Sequence, residues 1–201
     1  KSAADRDAIL DAVRCKIVAL VSDAGTPLIS DPGYKLVRDA QVAGLYVTTI
    51  PGPSAAIAAL ILSGLPSDRF LFEGFLPSKT KARSESLAAL KTLNASLIFY
   101  ENGSRLGAML ADSLAVLGDR KAAVVREITK RFEEAVAGSL SELAARYGAE
   151  KPKGEIVVII GPPGAPEAAS EADIEAALRE ALVRLPASKA AGEVAKAFNT
   201  D

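Results

Sequence analysis

The stretch KIVALVSDAGTPLISDPG, residues 16–33, carries the reading of the fold. Residues 17–21 form an unbroken apolar run, the pattern of a strand buried on both faces of a parallel sheet. The run stops at Ser22-Asp23, and residues 24–33 then hold Gly25, Pro27, Asp31, Pro32 and Gly33. Such a segment neither continues a strand nor enters a helix early, so it reads as a shaped loop off a strand end. In open α/β sheets, ligands sit in the crevice beyond the carboxyl ends of the strands.

The pattern repeats downstream. Residues 34–43 read as a helix closed by Gly44, and residues 45–50 as a second strand rich in β-branched side chains. Pro51-Gly52-Pro53-Ser54 follows directly, then a helix of small residues over 55–62. Two strand-loop-helix units in succession predict a parallel α/β lobe over residues 1–65. Residues 2–14 lead into it as an amphipathic helix, with Ser2 and Asp5 in capping-box spacing and Ile9, Leu10 and Val13 on one stripe.

Gly64-Leu65-Pro66-Ser67 breaks this order, and a second lobe is predicted over 66–165. Strands are expected over 70–75, 95–100, 122–126 and 156–160, with 132–136 an antiparallel neighbour of 122–126. Helices are expected over 79–93, 105–117 and 140–147, giving a mixed-sheet α+β arrangement. Residues 161–166, GPPGAP, have the composition of a linker. Beyond them, helices over 171–185 and 188–198, separated by Pro186, form a small module spanning 166–201. That module reads equally as a helix-turn-helix and as a helical pair packing on its own lobe or on a dimer mate.

SDAGTPLISDPG at 22–33 followed by PGPSAA at 51–56 resembles the signature of the tetrapyrrole methylase superfamily. Within it the sequence is most similar to the small-subunit ribosomal RNA (cytidine-2′-O)-methyltransferases of the RsmI type. Further matches are GLPSDRFLFEGFLP at 64–77, LIFYE at 97–101, REITK at 126–130 and KGE before an apolar strand at 153–160, in the family's order. The resemblance implies a two-lobed fold binding S-adenosylmethionine between its lobes. It also implies transfer of a methyl group to a cytidine 2′-hydroxyl of 16S ribosomal RNA in the small ribosomal subunit, by a cytoplasmic homodimer. The family has an earlier portion, with a first strand, a loop of the form TPIGN and further helices. Against that pattern the sequence reads as lacking its N-terminal part and one wall of the pocket. Two other readings stay open: a corrin or porphyrin carbon as methyl acceptor, and a non-catalytic RNA- or ligand-binding module.

Composition narrows the chemistry. Across 201 residues the formal net charge is −1, so no global basic field calls for nucleic acid, although a local basic face is compatible with it. The single cysteine, Cys15, forms no internal disulfide and fits a reducing compartment. No apolar run has the length of a membrane span. With no histidine, the commonest general base and the commonest zinc ligand are both missing, so proton transfer falls to a carboxylate, Lys, Tyr or the substrate. A metal site is not expected.

Asp23, at the end of the first apolar run, reads either as a turn residue bonded to its own loop or as a ligand carboxylate. The resemblance selects the second: Asp23 on the ribose hydroxyls or ammonium of the cofactor, beside Ser22 and the amides of Ala24, Gly25 and Thr26. Asp31 reads as structural. A second wall is expected at Pro53, Ser54 and Ala55, where a helix N-terminus offers free amides. The resemblance adds Tyr100, Glu155 and Ile156 to the cofactor cleft. It also makes Glu101, Glu127 and Lys130 the candidate catalytic residues, with the carboxylates as candidate bases for the hydroxyl proton. Lys79, Lys81, Arg83, Arg105, Arg126 and Lys189 are the candidate RNA contacts, set against the plain alternatives of solvated helix starts and ion-paired turns.

Overall fold

The computed structural model describes residues 3–164 and 171–198. It forms two compact units, Lys1–Pro163 and Gly164–Asp201.

The first unit opens with helices α1 (Ala3–Val13), α2 (Tyr34–Val42) and α3 (Ala55–Ser63). A five-stranded sheet follows, built from β1 (Phe70–Phe75), β2 (Ser96–Asn102), β3 (Lys121–Arg126), β4 (Glu134–Ser139) and β5 (Glu155–Ile160). Helices α4 (Thr80–Ala89), α5 (Gly103–Leu117) and α6 (Leu140–Ala149) connect its strands. The spatial order is β1-β2-β5-β3-β4; β1 runs parallel to β2, and every other pairing is antiparallel. This is the mixed sheet expected of the second lobe, with strand bounds within three residues of those expected.

Period-two alternation in fully buried strands explains the layering. Leu97, Phe99, Val124, Val158 and Ile160 face one way and pack with Leu87, Leu106, Met109, Leu110 and Leu143 from α4, α5 and α6. Ile98, Val125, Val157 and Ile159 face the other way and meet Ala56, Ala59 and Leu60 of α3. The small side chains of α3 thus bring a helix read as part of the first lobe onto the second lobe's sheet. The division expected after residue 65 is bridged by this packing, and the compact unit continues to Pro163.

Two expectations are corrected. Residues 17–21 and 45–50 form no strand: neither segment joins a ladder, and Ile17, Val21, Tyr46 and Ile50 are exposed. An apolar run becomes a strand only when neighbours satisfy its backbone donors and acceptors. Among the described residues, no strand flanks either run, so the expected parallel sheet of the first lobe is not formed. The helices and loops around these runs keep the positions read from the sequence. The cap read at Ser2 lies outside the described residues.

In the second unit, α7 (Glu171–Arg184) and α8 (Ala187–Phe198) form a helical hairpin. Ala181, Ala190 and Val194 are its buried centre. Residues 165–170, which include the end of the expected linker, lie outside the described residues.

Candidate cofactor cleft

A cleft of about 360 Å³ opens beside the carboxyl end of β2. Ala24, Gly25 and Thr26 line it from the first loop, and Ser54 and Ala55 from the N-terminus of α3. Tyr100, Glu101 and Asn102 line it from the end of β2, and Gly154, Glu155, Ile156 and Val157 from the start of β5. Four segments far apart in sequence therefore meet at one place. Its volume lies at the small end of the range for ligand sites, which runs from about 300 Å³ upward.

The loops are pinned to one another. Thr26 Oγ1 donates to the Pro53 carbonyl oxygen at 2.9 Å, so Pro53 supports the wall without lining it. The Ser22 hydroxyl bonds to Asp31 and to the Ala24 carbonyl. Ser22 and Asp23 stand outside the lining, whereas Asp31, read as purely structural, both holds the loop and reaches the cleft. Asp31 also touches a second hollow of about 440 Å³, between α1 and the start of α2, which none of the predicted cofactor residues lines.

Phe75, Ile29, Ser30 and Asn102 are lining residues that the sequence reading missed. The bulge in β1 between Phe72 and Gly74 precedes Phe75. The Phe75 ring meets Tyr100 edge-on with centroids 5.6 Å apart, and Phe72 does the same at 4.9 Å. Burial raises the Tyr100 hydroxyl above its ordinary range, opposed by a hydrogen bond from the Ala56 amide. Tyr100 thereby joins the end of β2 to the first turn of α3.

Glu101 is the buried acid of the site, its side chain 1% exposed. Its Oε1 accepts from the Asn102 amide at 2.9 Å. Arg105 Nη2 lies 3.3 Å from Oε2, close enough for ion pairing but without hydrogen-bond alignment, so Oε2 has no hydrogen-bond partner. A buried carboxylate oxygen left in this state is costly unless another donor completes it. Arg105 also donates to the Leu76 carbonyl at 2.7 Å.

Glu127, Lys130 and Glu155 form an ionic cluster at the rim. Lys130 Nζ donates to Glu127 Oε1 at 3.0 Å and to Glu155 Oε2 at 2.9 Å. Glu127 Oε1 also accepts from the Glu155 amide at 3.0 Å. That amide bond, with Lys130 second, holds the Glu127 carboxyl below the usual carboxylate range. The two carboxylates hold the Lys130 ammonium above its ordinary range.

The predicted RNA contacts separate. Lys79 and Lys81 are exposed at the start of α4, and Lys189 is exposed on α8. Arg83 is a correction: it is 4% exposed, pairs with Asp112 at 2.7 Å and donates to the Pro77 and Ser78 carbonyls. A guanidinium so enclosed is structural, because exposing it to RNA would dismantle the α4–α5 contact. Arg126 is committed to Glu134 at 2.7 Å, and Arg105 to the cleft wall.

The sequence model of the tetrapyrrole (corrin/porphyrin) methylases matches residues 2–144. The chain belongs to this family. It is 55% identical over 181 residues to the ribosomal RNA small subunit methyltransferase I of Mesorhizobium japonicum, covering 89% of this chain and 61% of that protein. To the protein of the same name from Erythrobacter litoralis it is 58% identical, over 82% of this chain and 58% of that protein. The chain thus spans about three fifths of the length of these two relatives. Solved methylase structures share the fold. The methyltransferase CobJ aligns at a TM-score of 0.59 and 16% identity, over 82% of this chain and 72% of that one. A uroporphyrin-III C-methyltransferase from Thermus thermophilus, complexed with S-adenosyl homocysteine, aligns at 0.52 and 18%, over 78% and 71%.

Proposed function

We propose that this tetrapyrrole methylase family member binds S-adenosylmethionine in the cleft and methylates a cytidine 2′-hydroxyl of 16S ribosomal RNA. The observation carrying this reading is the convergence of the 24–26 loop, the 54–55 helix start and the ends of β2 and β5 on one cleft. The names of the relatives support the RNA acceptor, and the S-adenosyl homocysteine of the Thermus structure supports the cofactor.

The residues present fit such a ligand. α3 has no side-chain cap, and with the Ala56 amide engaged by Tyr100 the Ala55 amide at its start remains for an acceptor atom or a carboxylate. Glu101 Oε2 is a buried acceptor in need of a donor, and Phe75 presents an exposed aromatic ring. Ala24, Gly25, Thr26, Ser54, Ala55, Tyr100, Glu155 and Ile156 would hold the cofactor, with Ser22 and Pro53 supporting them and Asp23 beside them. When bound, the cofactor supplies a methyl group on a sulfonium, whose departure needs no acid. The chain's work is then to align the hydroxyl with that methyl and to accept one proton. We assign the proton to Glu101, the buried carboxylate of the wall, with Arg105 holding it in place. Lys79, Lys81 and Lys189 would steer RNA phosphates, with the helical hairpin an RNA-facing module. A homodimer would act on the small subunit in the cytoplasm. No helix among the described residues is long and apolar enough to cross a membrane.

The test is transfer of labelled methyl from S-adenosylmethionine to small ribosomal subunits that lack the modification, with a porphyrinogen as control acceptor. Label in a cytidine 2′-O-methyl group is expected. Label in the tetrapyrrole alone would replace this reading with C-methylation. Binding of RNA without cofactor affinity or transfer would replace it with a non-catalytic module.

A further inference from the structure

The REITK segment looks like a source of catalytic groups, but its geometry assigns it another task. β3 ends at Arg126, whose register partner on β5 is Ile156. At the next residue the backbone leaves the strand, with Glu127 at φ 50. This left-handed conformation is unfavourable for a residue carrying a Cβ and persists only where surrounding contacts hold it. Those contacts all lead to the start of β5. The Glu127 amide donates to the Glu155 carbonyl at 3.0 Å, and the Glu127 carboxylate accepts from the Glu155 amide at 3.0 Å. Lys130 closes the loop by donating its amide to the Glu127 carbonyl at 2.9 Å while its ammonium bridges both carboxylates. Gly154 completes the clamp: at φ 100, a β-carbon there would stand 2.7 Å from Glu127 Cγ.

We propose that Glu127 is a positioning residue, a latch that fixes Gly154, Glu155 and Ile156 as the cleft floor. This rests on the reading of the cleft as a cofactor site. The three residues line the cleft directly, whereas Glu127 is outside the lining. A base has to stand in the cleft wall within reach of the hydroxyl and to have a proton affinity suited to the task. Glu127 Oε1 already accepts two donors, and the Glu155 amide bond followed by Lys130 weakens the carboxylate as a base. Its chemistry suits holding a loop, not moving a proton.

Two readouts test the latch. The first is amide hydrogen exchange at residues 154–156 in the full chain without cofactor. Glu127→Ala should speed it by about tenfold or more, the scale of one lost hydrogen bond to a charged acceptor. Glu127→Gln keeps an acceptor for the Glu155 amide and should stay within about threefold of wild type. Glu127→Asp is one methylene short of that amide and should follow Ala; it serves if Ala does not fold. The second readout is cofactor titration with methyl transfer. Affinity should fall about tenfold in Ala and Asp but little in Gln, and the pH profile of Gln should keep its acid limb. Wild-type exchange at 154–156 in both Ala and Asp would overturn the latch. So would a Gln variant that retains affinity and protection but loses turnover, because that is the signature of a base. Expected exchange changes with no cofactor affinity in any variant, wild type included, would uphold the latch and refute the cofactor reading.

Discussion

Thr26 Oγ1 and the Pro53 carbonyl oxygen, 27 positions apart, meet in a 2.9 Å hydrogen bond that joins the two loop motifs. Among the described residues neither loop follows a strand that would fix its spacing, so this bond is a direct tie between the walls of the cleft. Thr26→Val keeps the shape and removes the donor. The expected result is cofactor affinity weaker by roughly three- to tenfold, the scale of one partly exposed hydrogen bond, with thermal stability nearly unchanged. Thr26→Ser should retain affinity. Calorimetric titration of the three proteins decides it, and equal affinities would show that the loops are held independently of this bond.

Arg83 tests the division between structural and RNA-facing cations. Its guanidinium is enclosed by Asp112 and two carbonyls. Arg83→Met leaves the Asp112 carboxylate without its partner, and breaking such a pair costs about 3–5 kcal/mol. Urea denaturation should show this loss, and Arg83→Met/Asp112→Leu should recover a large part of it. Salt dependence of RNA binding by the folded fraction should not change. Lys79→Ala/Lys81→Ala should do the opposite, leaving stability intact and lowering the salt slope. A stable Arg83→Met with a reduced slope would return Arg83 to the RNA face.

The contrast between these cations shows what a sequence exposes and what it hides. Buried strands were legible because runs such as residues 97–100 and 156–160 are apolar at consecutive positions and end at polar turns. The cleft motifs were legible because proline and glycine beside a helix start leave few other conformations. Arg83 was not, since SKTKARSE carries no mark of Asp112, 29 residues on. Phe75 was missed for a similar reason, because its exposure follows from a bulge that a strand pattern does not display. Residues 17–21 and 45–50 misled because an apolar run reports a preference for burial, not the presence of a neighbour to pair with.

Acid should weaken the fold through Glu134. The Arg126 hydrogen bond, with Arg146 behind it, holds this carboxyl below the usual range; Asp119 is held low by the Ser141 hydroxyl and amide. A carboxyl depressed only in the folded state takes up protons later than its unfolded counterpart as the pH falls. Its stabilisation is therefore present above the unfolded value, roughly 4.3 for Glu, and is lost as the pH drops through the folded value. Melting temperature should hold near neutrality and decline below about pH 4.5. Glu134→Gln should start lower and decline less steeply across that window. A parallel decline in the two proteins would place the acid-sensitive groups elsewhere.

Gly103 separates packing from cleft geometry. It begins α5, and a β-carbon there would stand 2.6 Å from the Pro152 carbonyl carbon. The obstacle is backbone, which cannot rotate aside as a side chain would. Gly103→Ala therefore has to push residue 152 outward, and with it the 154–157 stretch that lines the cleft. Overpacking of this kind costs about 1–3 kcal/mol, and here it should also weaken cofactor binding by the folded protein. Gly107→Ala is the matched control: its β-carbon would stand 3.1 Å from the Tyr147 carbonyl carbon, and Gly107 lies outside the cleft lining. Comparable destabilisation with affinity lost only in Gly103→Ala is the expected result. Equal affinities in the two folded variants would mean that the 154–157 segment keeps its place when residue 152 moves.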